Sequence, residues 1–148
     1  MTRLTTLAAA AFALVATPTL ADQISVESPY SVAETMDRLE SAVEEAGATV
    51  FARVNHAEGA ASADMELDPA ELLIFGNPQL GTQAMQDDIR AGLVLPMRVL
   101  AYEWDGQVYL GWQEPEDMFD DLDIDDDANY IEEIEGALNR LTEEAVSE

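Results

Sequence analysis

The sequence contains no cysteine and no lysine, and it has a single histidine, His56. Without cysteine, thiol catalysis is excluded, and one histidine leaves too few nitrogen and sulphur ligands for a zinc site. All six basic residues are arginine, against 31 acidic residues, and the formal net charge is −25. Because affinity for nucleic acid depends on cations that neutralise phosphates, we expect no nucleic acid partner. A saline habitat would explain the acidity, since salt screens the repulsion.

The N-terminus is typical of a secretory signal peptide. Arg3 precedes an apolar run rich in Leu and Ala, and the segment closes on the small residue Ala21. The run is too short to cross a bilayer comfortably. We therefore expect residues 1–21 to be cleaved and a periplasmic or secreted protein to begin at Asp22, with no membrane insertion afterwards. Residues 22–148 have a length suited to a single domain.

Hydrophobic periodicity predicts alternating strands and helices in the first half of the mature chain. Residues 24–28 alternate as in a strand, and Ser31 with Glu34 forms a capping box that starts a helix. The apolar face of this helix ends at Gly47 and comprises Val32, Met36, Leu39, Val43 and Ala46. A second strand, 48–56, would carry Val50, Ala52 and Val54 on one face. An Ala-rich helical connector and a third strand, 71–77, follow.

The second half predicts two more helices and a hairpin. One helix would start at about Thr82 and run to Arg90, and an acidic last helix from about residue 127 has apolar positions at 131, 134, 138 and 141. Between them, Asp105 and Gly106 tolerate the positive φ of a two-residue hairpin turn. That turn pairs Tyr102 with Tyr109 and places apolar side chains on both faces of the hairpin, so we expect both faces to be covered.

This order of elements predicts the fold class. The order is β-α-β-α-β-α-β-β-α, and it closes on a hairpin. Such a pattern is typical of an α+β domain with a largely antiparallel sheet, here of about four to five strands with helices packed on it.

The stretch "LLIFGNPQLGTQAM", residues 72–85, has the glycine spacing of a phosphate-binding loop. Gly76 and Gly81 are separated by four residues, as in G-x-x-x-x-G-K-[ST]. The lysine that meets the phosphates is replaced by Thr82, and Pro78 removes one backbone N–H that the loop would use. The stretch is therefore interpreted as a tight turn from strand to helix, and no nucleotide or other cofactor is expected.

The same stretch, followed by "LVLPMRVLAYEWDGQVYLGWQEP", resembles the family called domain of unknown function 302. Phe-Gly-Asn-Pro at residues 75–78, Gly-Thr at 81–82 and a Leu-Pro hairpin closed by Asp-Gly occur in the order typical of that family. Gln83 and Ala84 depart from its usual Pro-Leu, as do Arg98 and Trp112 from its usual Lys and Tyr. The resemblance implies a small α+β domain that readily forms homodimers. Since the family has no agreed activity, no catalytic residue follows from it.

His56, Asn77 and Thr82 are the candidate ligand-binding residues. His56 follows the second strand, where it is either a strand-end residue or a general base, and Asn77 and Thr82 belong to the turn described above. A Ser-His-Asp site would have to use His56, but the chain has no G-x-S-x-G motif. An enzyme of hydrolase type with His56 close to the 77–82 turn is one alternative. The preferred interpretation names no catalytic residue.

The acidic stretch "DLDIDDDANYIE" gives a second alternative, a weak Ca²⁺-binding protein. The oxygen ligands of an EF-hand loop would come from Asp121, Asp123, Asp125, Asp127, Asn129 and Glu132. Position 6 of the loop requires glycine for its sharp turn, and here it is Asp126. The competing interpretation is an acidic loop that complements the N-terminal dipole of the last helix.

The preferred interpretation of the sequence is therefore an exported, non-catalytic domain that binds a small ligand or a protein partner. We expect a homodimer, because helices on one face of a small sheet leave the aromatic side chains of the hairpin bare on the other face.

Overall fold

The computed structural model describes residues 23–148, which form a five-stranded sheet and five α-helices. Every neighbouring pair of strands is antiparallel, and the order across the sheet is β1-β5-β4-β3-β2. A 3₁₀ turn, Ile89–Leu93, separates α3 from β4. The elements are β1 (Gln23–Ser28), α1 (Val32–Glu45), β2 (Thr49–Asn55), α2 (His56–Ser62), β3 (Ala70–Gly76), α3 (Pro78–Asp87), β4 (Met97–Trp104), β5 (Gln107–Gln113), α4 (Pro115–Phe119) and α5 (Asn129–Val146).

The predicted α+β class with an antiparallel sheet is confirmed. The order of elements differs from the prediction only by the 3₁₀ turn and by α4, a five-residue helix. The predicted signal peptide, residues 1–21, lies outside the described residues.

The β4–β5 hairpin follows local sequence chemistry. Asp105 and Gly106 have φ values of 50° and 80°, as a type I′ turn requires. The predicted register is confirmed, because Tyr102 lies opposite Tyr109 and Trp104 opposite Gln107. The rings of Tyr102 and Tyr109 stack with centroids 5.6 Å apart. Residues 23–148 of one copy cover only one face of the hairpin, so within this part of the chain the expectation of two covered faces does not hold.

Helix α1 starts where the capping box predicts. The hydroxyl of Ser31 accepts a hydrogen bond from the backbone N–H of Glu34 at 3.2 Å. The predicted apolar positions of this helix are buried with one exception, Ala46, which lies at the helix end and is exposed. Ala42, one position before Val43, is buried in its stead. The amphipathic pattern therefore places α1 correctly, and only its last turn differs.

Strand β2 departs from the prediction because of a bulge between Val50 and Ala52. A bulge inserts one extra residue and reverses which face the following side chains occupy. Val50 pairs with Phe75 on the helix side, whereas Ala52 and Val54 point to the opposite face. The prediction that all three share one face is therefore wrong. Sequence alternation alone does not reveal the bulge, since it depends on the pairing with β3.

The bulge turns Arg53 toward the helices. Its guanidinium pairs with Glu71 and Asp37, each at 2.6 Å, and with Glu40 at 3.1 Å. Burial opposes the charge, but these three carboxylates raise the pKa of Arg53 above its ordinary value. The only cation in this cluster thereby joins β2, β3 and α1.

Helix α3 begins at Pro78, four residues before the predicted start. The side-chain oxygen of Asn77 accepts a hydrogen bond from the backbone N–H of Gln79 at 2.9 Å, so Asn77 is the N-cap. Proline suits the first helical position, since its missing N–H has no partner there. Gly81 and Thr82 are consequently inside the helix, and the prediction that they start it is wrong.

Helices α1 and α5 cover one face of the sheet. They are joined at the end of α5, where Arg38 of α1 donates to the carbonyl oxygens of Ala145 and Ser147 at 2.8 and 2.6 Å. These carbonyls lie at the end of α5, where helical partners are missing and a cation is favourable. The predicted apolar face of α5 is buried against the core, at Ile131, Ile134, Leu138 and Leu141.

Asp88 fixes the 3₁₀ turn to the acidic segment before α5. Its buried carboxylate accepts hydrogen bonds from the backbone N–H groups of Arg90 and Asp123 at 2.9 and 3.0 Å, and it forms an ion pair with the Arg90 guanidinium. The Arg90 side chain is the main cause that lowers the pKa of the Asp88 carboxyl well below its usual range.

Replacing Asp88 by asparagine should therefore lower the stability most at neutral pH. A carboxyl whose pKa falls on folding stabilises fully above its unfolded value of about 4, and the contribution is lost as the pH drops further. Urea unfolding between pH 7 and pH 3 should show the free energies of the wild type and Asp88→Asn converging with acid. The control is Asp120→Asn, at an exposed carboxylate of the acidic segment that Asp88 contacts. A difference that stays constant with pH would contradict this assignment.

Candidate functional site

A groove of about 780 Å³ lies between α5, α3 and the helix-covered ends of β3 and β4. Its apolar lining includes Phe75, Met85, Leu95 and Met97. Polar side chains are few, and they belong to Asn77, Thr82, Glu132, Glu133 and Arg140. Small-molecule sites in proteins are typically concave, mostly apolar and of this size, with a small number of polar groups. The groove is therefore the candidate functional site.

The turn from β3 to α3 forms one edge of the groove. Phe75 is buried in the core, Gly76 ends the strand, and Asn77 and Pro78 begin the helix as N-cap and first helical residue. A Cβ atom at Gly76 would lie 3.6 Å from the Pro96 side chain. The Phe-Gly-Asn-Pro motif thus builds a compact turn whose Gly, Asn and Pro face the groove.

Helix α5 forms the opposite wall with part of its buried stripe, Ile134, Leu138 and Leu141, and with a more exposed face beside that stripe. Glu133, Gly136, Ala137 and Arg140 follow the i, i+3, i+4, i+7 spacing of one helical face. A Cβ atom at Gly136 would meet no other atom within 4 Å, so this glycine leaves the middle of the wall open.

Tyr130 connects the two walls at one end. Its hydroxyl donates to the carboxylate of Asp87, the last residue of α3, at 2.8 Å. Burial first, and then the hydrogen bond to Asp87, raise the pKa of Tyr130 to about 12. The phenol therefore stays protonated at physiological pH and holds the start of α5 against the end of α3.

The structure brings together two of the three candidate ligand-binding residues. Asn77 and Thr82 line the groove, and His56 does not. His56 follows Asn55 at one end of the β2–β3 pair, whereas Asn77 follows Gly76 at the other, where Thr49 pairs. Seven strand residues separate the two ends by about 20 Å. The alternative in which His56 works close to the 77–82 turn is therefore wrong in its geometry.

The acidic stretch 121–132 is divided between a loop and the first turn of α5. Asp121, Asp123, Asp125 and Asp127 lie in the loop, Asn129 starts the helix, and Glu132 lines the groove. Within residues 23–148, no three His, Asp or Glu side chains come together as a metal site requires. Ca²⁺ binding at this stretch stays a prediction.

The sequence analysis missed the contribution of α5 and of Phe51 to the groove. Phe51 sits at the bulge of β2 and stays about half exposed beside Gly76, with an exposed fraction of 55%. Gly136 could have indicated the role of α5, because a glycine inside an amphipathic helix lowers stability and usually has a packing or functional role. The contact between α5 and α3 is long-range, and no local pattern indicates it.

A search of the described residues for membrane-spanning segments found no helix with the length and apolar character to cross a bilayer.

A solved structure shares this fold. The crystal structure of the uncharacterized conserved protein DUF302 from Bacillus stearothermophilus superposes with a TM-score of 0.77, covering 84% of this chain and 98% of that one. The sequence identity is 19%, so the likeness concerns the fold alone.

Curated relatives occur in Brucella. The proteins called fluoride-specific ion channel FluC 1 in Brucella suis biovar 1 and Brucella abortus biovar 1 are each 48% identical to this chain over 93 residues, or 62% of its length. The matched stretch spans 37% and 34% of those proteins, so this chain corresponds to about a third of their length.

The family model described as domain of unknown function DUF302 matches residues 24–145. That range holds all but the first residue of the described sheet, both edges of the groove and the turn at 75–78 on which the sequence resemblance rests. The chain belongs to the DUF302 family.

Proposed function

We propose that this protein is an exported, non-catalytic domain that binds a small apolar ligand in the groove between α3 and α5. The observation that carries the proposal is the groove itself, whose 780 Å³ lies within the range of about 300–1,000 Å³ common for ligand sites. Met85 and Met97 favour an apolar guest, because their flexible thioether side chains adapt to irregular shapes.

The absence of an assembled catalytic group in the groove supports a binding role. The single histidine lies at the far end of β2, so it cannot act as a base for Thr82. The carboxyl and phenol groups with displaced pKa values, Asp88, Glu114 and Tyr130, lie outside the groove. Displaced pKa values often mark catalytic sites, and here they accompany structural contacts.

The proposal includes a homodimer that pairs through the uncovered face of the sheet. Its centre is apolar and aromatic, with Leu72, Ile74, Leu100, Tyr102 and Tyr109 on neighbouring strands. Trp104 on the same face remains 66% exposed. Cores of protein interfaces are depleted in charge and enriched in aromatic residues.

The charge on this face also favours a second copy. Among the strand residues of the described part, Glu27 is the only carboxylate and Arg98 the only cation on this face. The chain as a whole carries −25, so most of its surface repels another copy. A face without net charge can meet its own copy, and two-fold pairing is the commonest arrangement of homo-oligomers.

A second candidate function is an accessory role beside a membrane transport protein. The Brucella relatives are called fluoride-specific ion channels, and the stretch shared with this chain covers about a third of them. In this role the shared stretch would accompany the membrane-spanning part of such a channel. This candidate stands second because it assigns no role to the groove.

Blocking the groove should abolish ligand binding. Gly136→Phe places a ring in the open middle of the α5 wall, whereas Asn139→Phe places the same ring on an exposed position of α5 outside the groove. A neutral fluorescent probe such as Nile red should brighten with wild type and Asn139→Phe and lose that response with Gly136→Phe. Circular dichroism should show both variants folded. Equal probe binding by all three proteins would refute the groove as the site.

The homodimer should tighten with salt, because salt screens the repulsion between two acidic chains. Sedimentation of the mature protein at low and high salt measures this. Leu100→Glu puts a charge at the centre of the open face and should give a monomer. Asn139→Glu adds the same charge at an exposed position of α5, on the covered side of the sheet, and should leave the dimer intact. A wild-type monomer at every salt concentration would end the proposal.

The accessory role predicts that co-expression with a fluoride channel from the same genome changes fluoride efflux and that the two proteins co-purify. A direct contact would bring a surface of this domain to the channel, so both readouts should respond together. Efflux that is unaffected, with no co-purification, would remove this candidate.

A further inference from the structure

We propose that the groove selects an amphiphile with one anionic head group and an unbranched apolar chain, and that Arg140 binds the head group. This inference rests on the proposed function of the groove and adds the chemical class of its ligand. It is carried by the pairing of the arginines, by the charge distribution along α5 and by the apolar floor between the walls.

Cations are scarce in this chain, and most of them are engaged. Of the arginines in residues 23–148, Arg38 binds carbonyls at the end of α5, Arg53 pairs with three carboxylates and Arg90 pairs with Asp88. Arg98 and Arg140 form no side-chain hydrogen bond or ion pair with another described residue. Arg98 points to the open face of the sheet, which leaves Arg140 as the single cation that lines the groove.

The groove wall is polarised along α5. Glu132 and Glu133 lie at its N-terminal end, and Arg140 lies eight and seven positions further on. At 1.5 Å per residue, the carboxylates and the guanidinium are about 10–12 Å apart along the helix axis. Glu143 and Glu144, one turn beyond Arg140, do not line the groove. Among the residues that do line it, an anionic head group is repelled at the Glu132–Glu133 end and attracted at the Arg140 end, which fixes the direction of the ligand.

The floor between these ends suits an alkyl chain. The sheet contributes Phe75 and Met97 to this floor, the segment before β4 contributes Leu95, and α3 contributes Met85. Gly136 leaves the wall open midway, so a chain can pass from the Arg140 end without meeting a side chain there. Affinity grows with each CH₂ group that is buried, so the apolar chain supplies affinity and the head group supplies selectivity.

A cationic head group is the less selective choice for this protein. Carboxylates cover the surface of a chain with 31 acidic residues, so a cation finds partners far from the groove. An anion is repelled by most of that surface and finds an unpaired guanidinium in the groove. Guanidinium groups also form bidentate hydrogen bonds with carboxylate, sulphate and phosphate oxygens.

Displacement of a neutral probe by three amphiphiles of equal chain length tests the assignment. Dodecanoate, dodecanol and dodecylammonium are titrated, below their micelle concentrations, against Nile red bound to the wild type, Arg140→Gln and Ser41→Glu. Ser41 is an exposed residue of α1 that lines neither the groove nor the open face of the sheet. Each substitution makes the net charge more negative by one unit, so the two variants differ only in where the charge changes. For the wild type we expect dodecanoate to displace the probe at the lowest concentration.

Arg140→Gln should weaken dodecanoate by about tenfold, as expected for loss of a charge-assisted hydrogen bond, and should leave dodecanol within about twofold. Ser41→Glu should change neither. Dodecyl sulphate in place of dodecanoate should show the same dependence on Arg140, because the shared chemistry is the anion and not the carboxylate.

The outcomes separate this inference from the proposed function. If dodecanol and dodecanoate displace the probe equally and Arg140→Gln changes nothing, the groove remains a ligand site and the head-group assignment is overturned. If dodecylammonium displaces the probe at the lowest concentration and Glu133→Gln weakens that displacement, the groove selects a cationic head group and the assignment is overturned. If none of the amphiphiles displaces the probe and Gly136→Phe does not affect the probe, both proposals fail.

Discussion

The helices of this chain cover one face of its sheet, and both candidate surfaces follow from that constraint. Helices α1 and α5 pack together on the side where Leu73, Val99 and Leu110 are fully buried. The opposite face keeps a band of apolar and aromatic side chains that neither α1 nor α5 covers. On the covered side, the Tyr130–Asp87 hydrogen bond joins α5 to the shorter α3, and the groove lies between the two helices.

Electrostatics determine where these layers are joined, because a chain without lysine has few cations to place. Arg38 closes the end of α5 onto α1, and Arg53 joins β2 to α1 through a cluster of carboxylates. Arg90 holds Asp88, whose second contact to the backbone of Asp123 ties down the acidic segment. Each engaged arginine thus lies at a junction between elements. An arginine at no junction therefore calls for another explanation, and a ligand head group is the one proposed for Arg140.

Sequence reasoning succeeded where structure depends on neighbouring residues and failed where it depends on pairing. The Asp105–Gly106 turn fixed the hairpin register, and the Ser31 capping box fixed the start of α1. The local sequence also indicates the start of α3, since Asn77 followed by Pro78 is an N-cap with proline at the first helical position, although the Gly81–Thr82 pair predicts a later start. The β2 bulge arises from its pairing with β3, and the groove from contact between helices about fifty residues apart, so neither leaves a local pattern.

The family motif and the proposed head-group site lie on different walls of the groove, and this separation bears on how such domains differ. Phe75, Gly76, Asn77 and Pro78 have structural roles in ending β3 and starting α3, and none of them supplies a charge. The charged groups that would read a ligand, Glu133 and Arg140, lie on α5, outside that motif. Since function is carried by sites placed on a fold, membership of the family does not predict which ligand the groove takes. Substitutions on the exposed face of α5 would alter the groove wall without disturbing the buried stripe of the helix, so under the proposed function this face determines the choice of ligand.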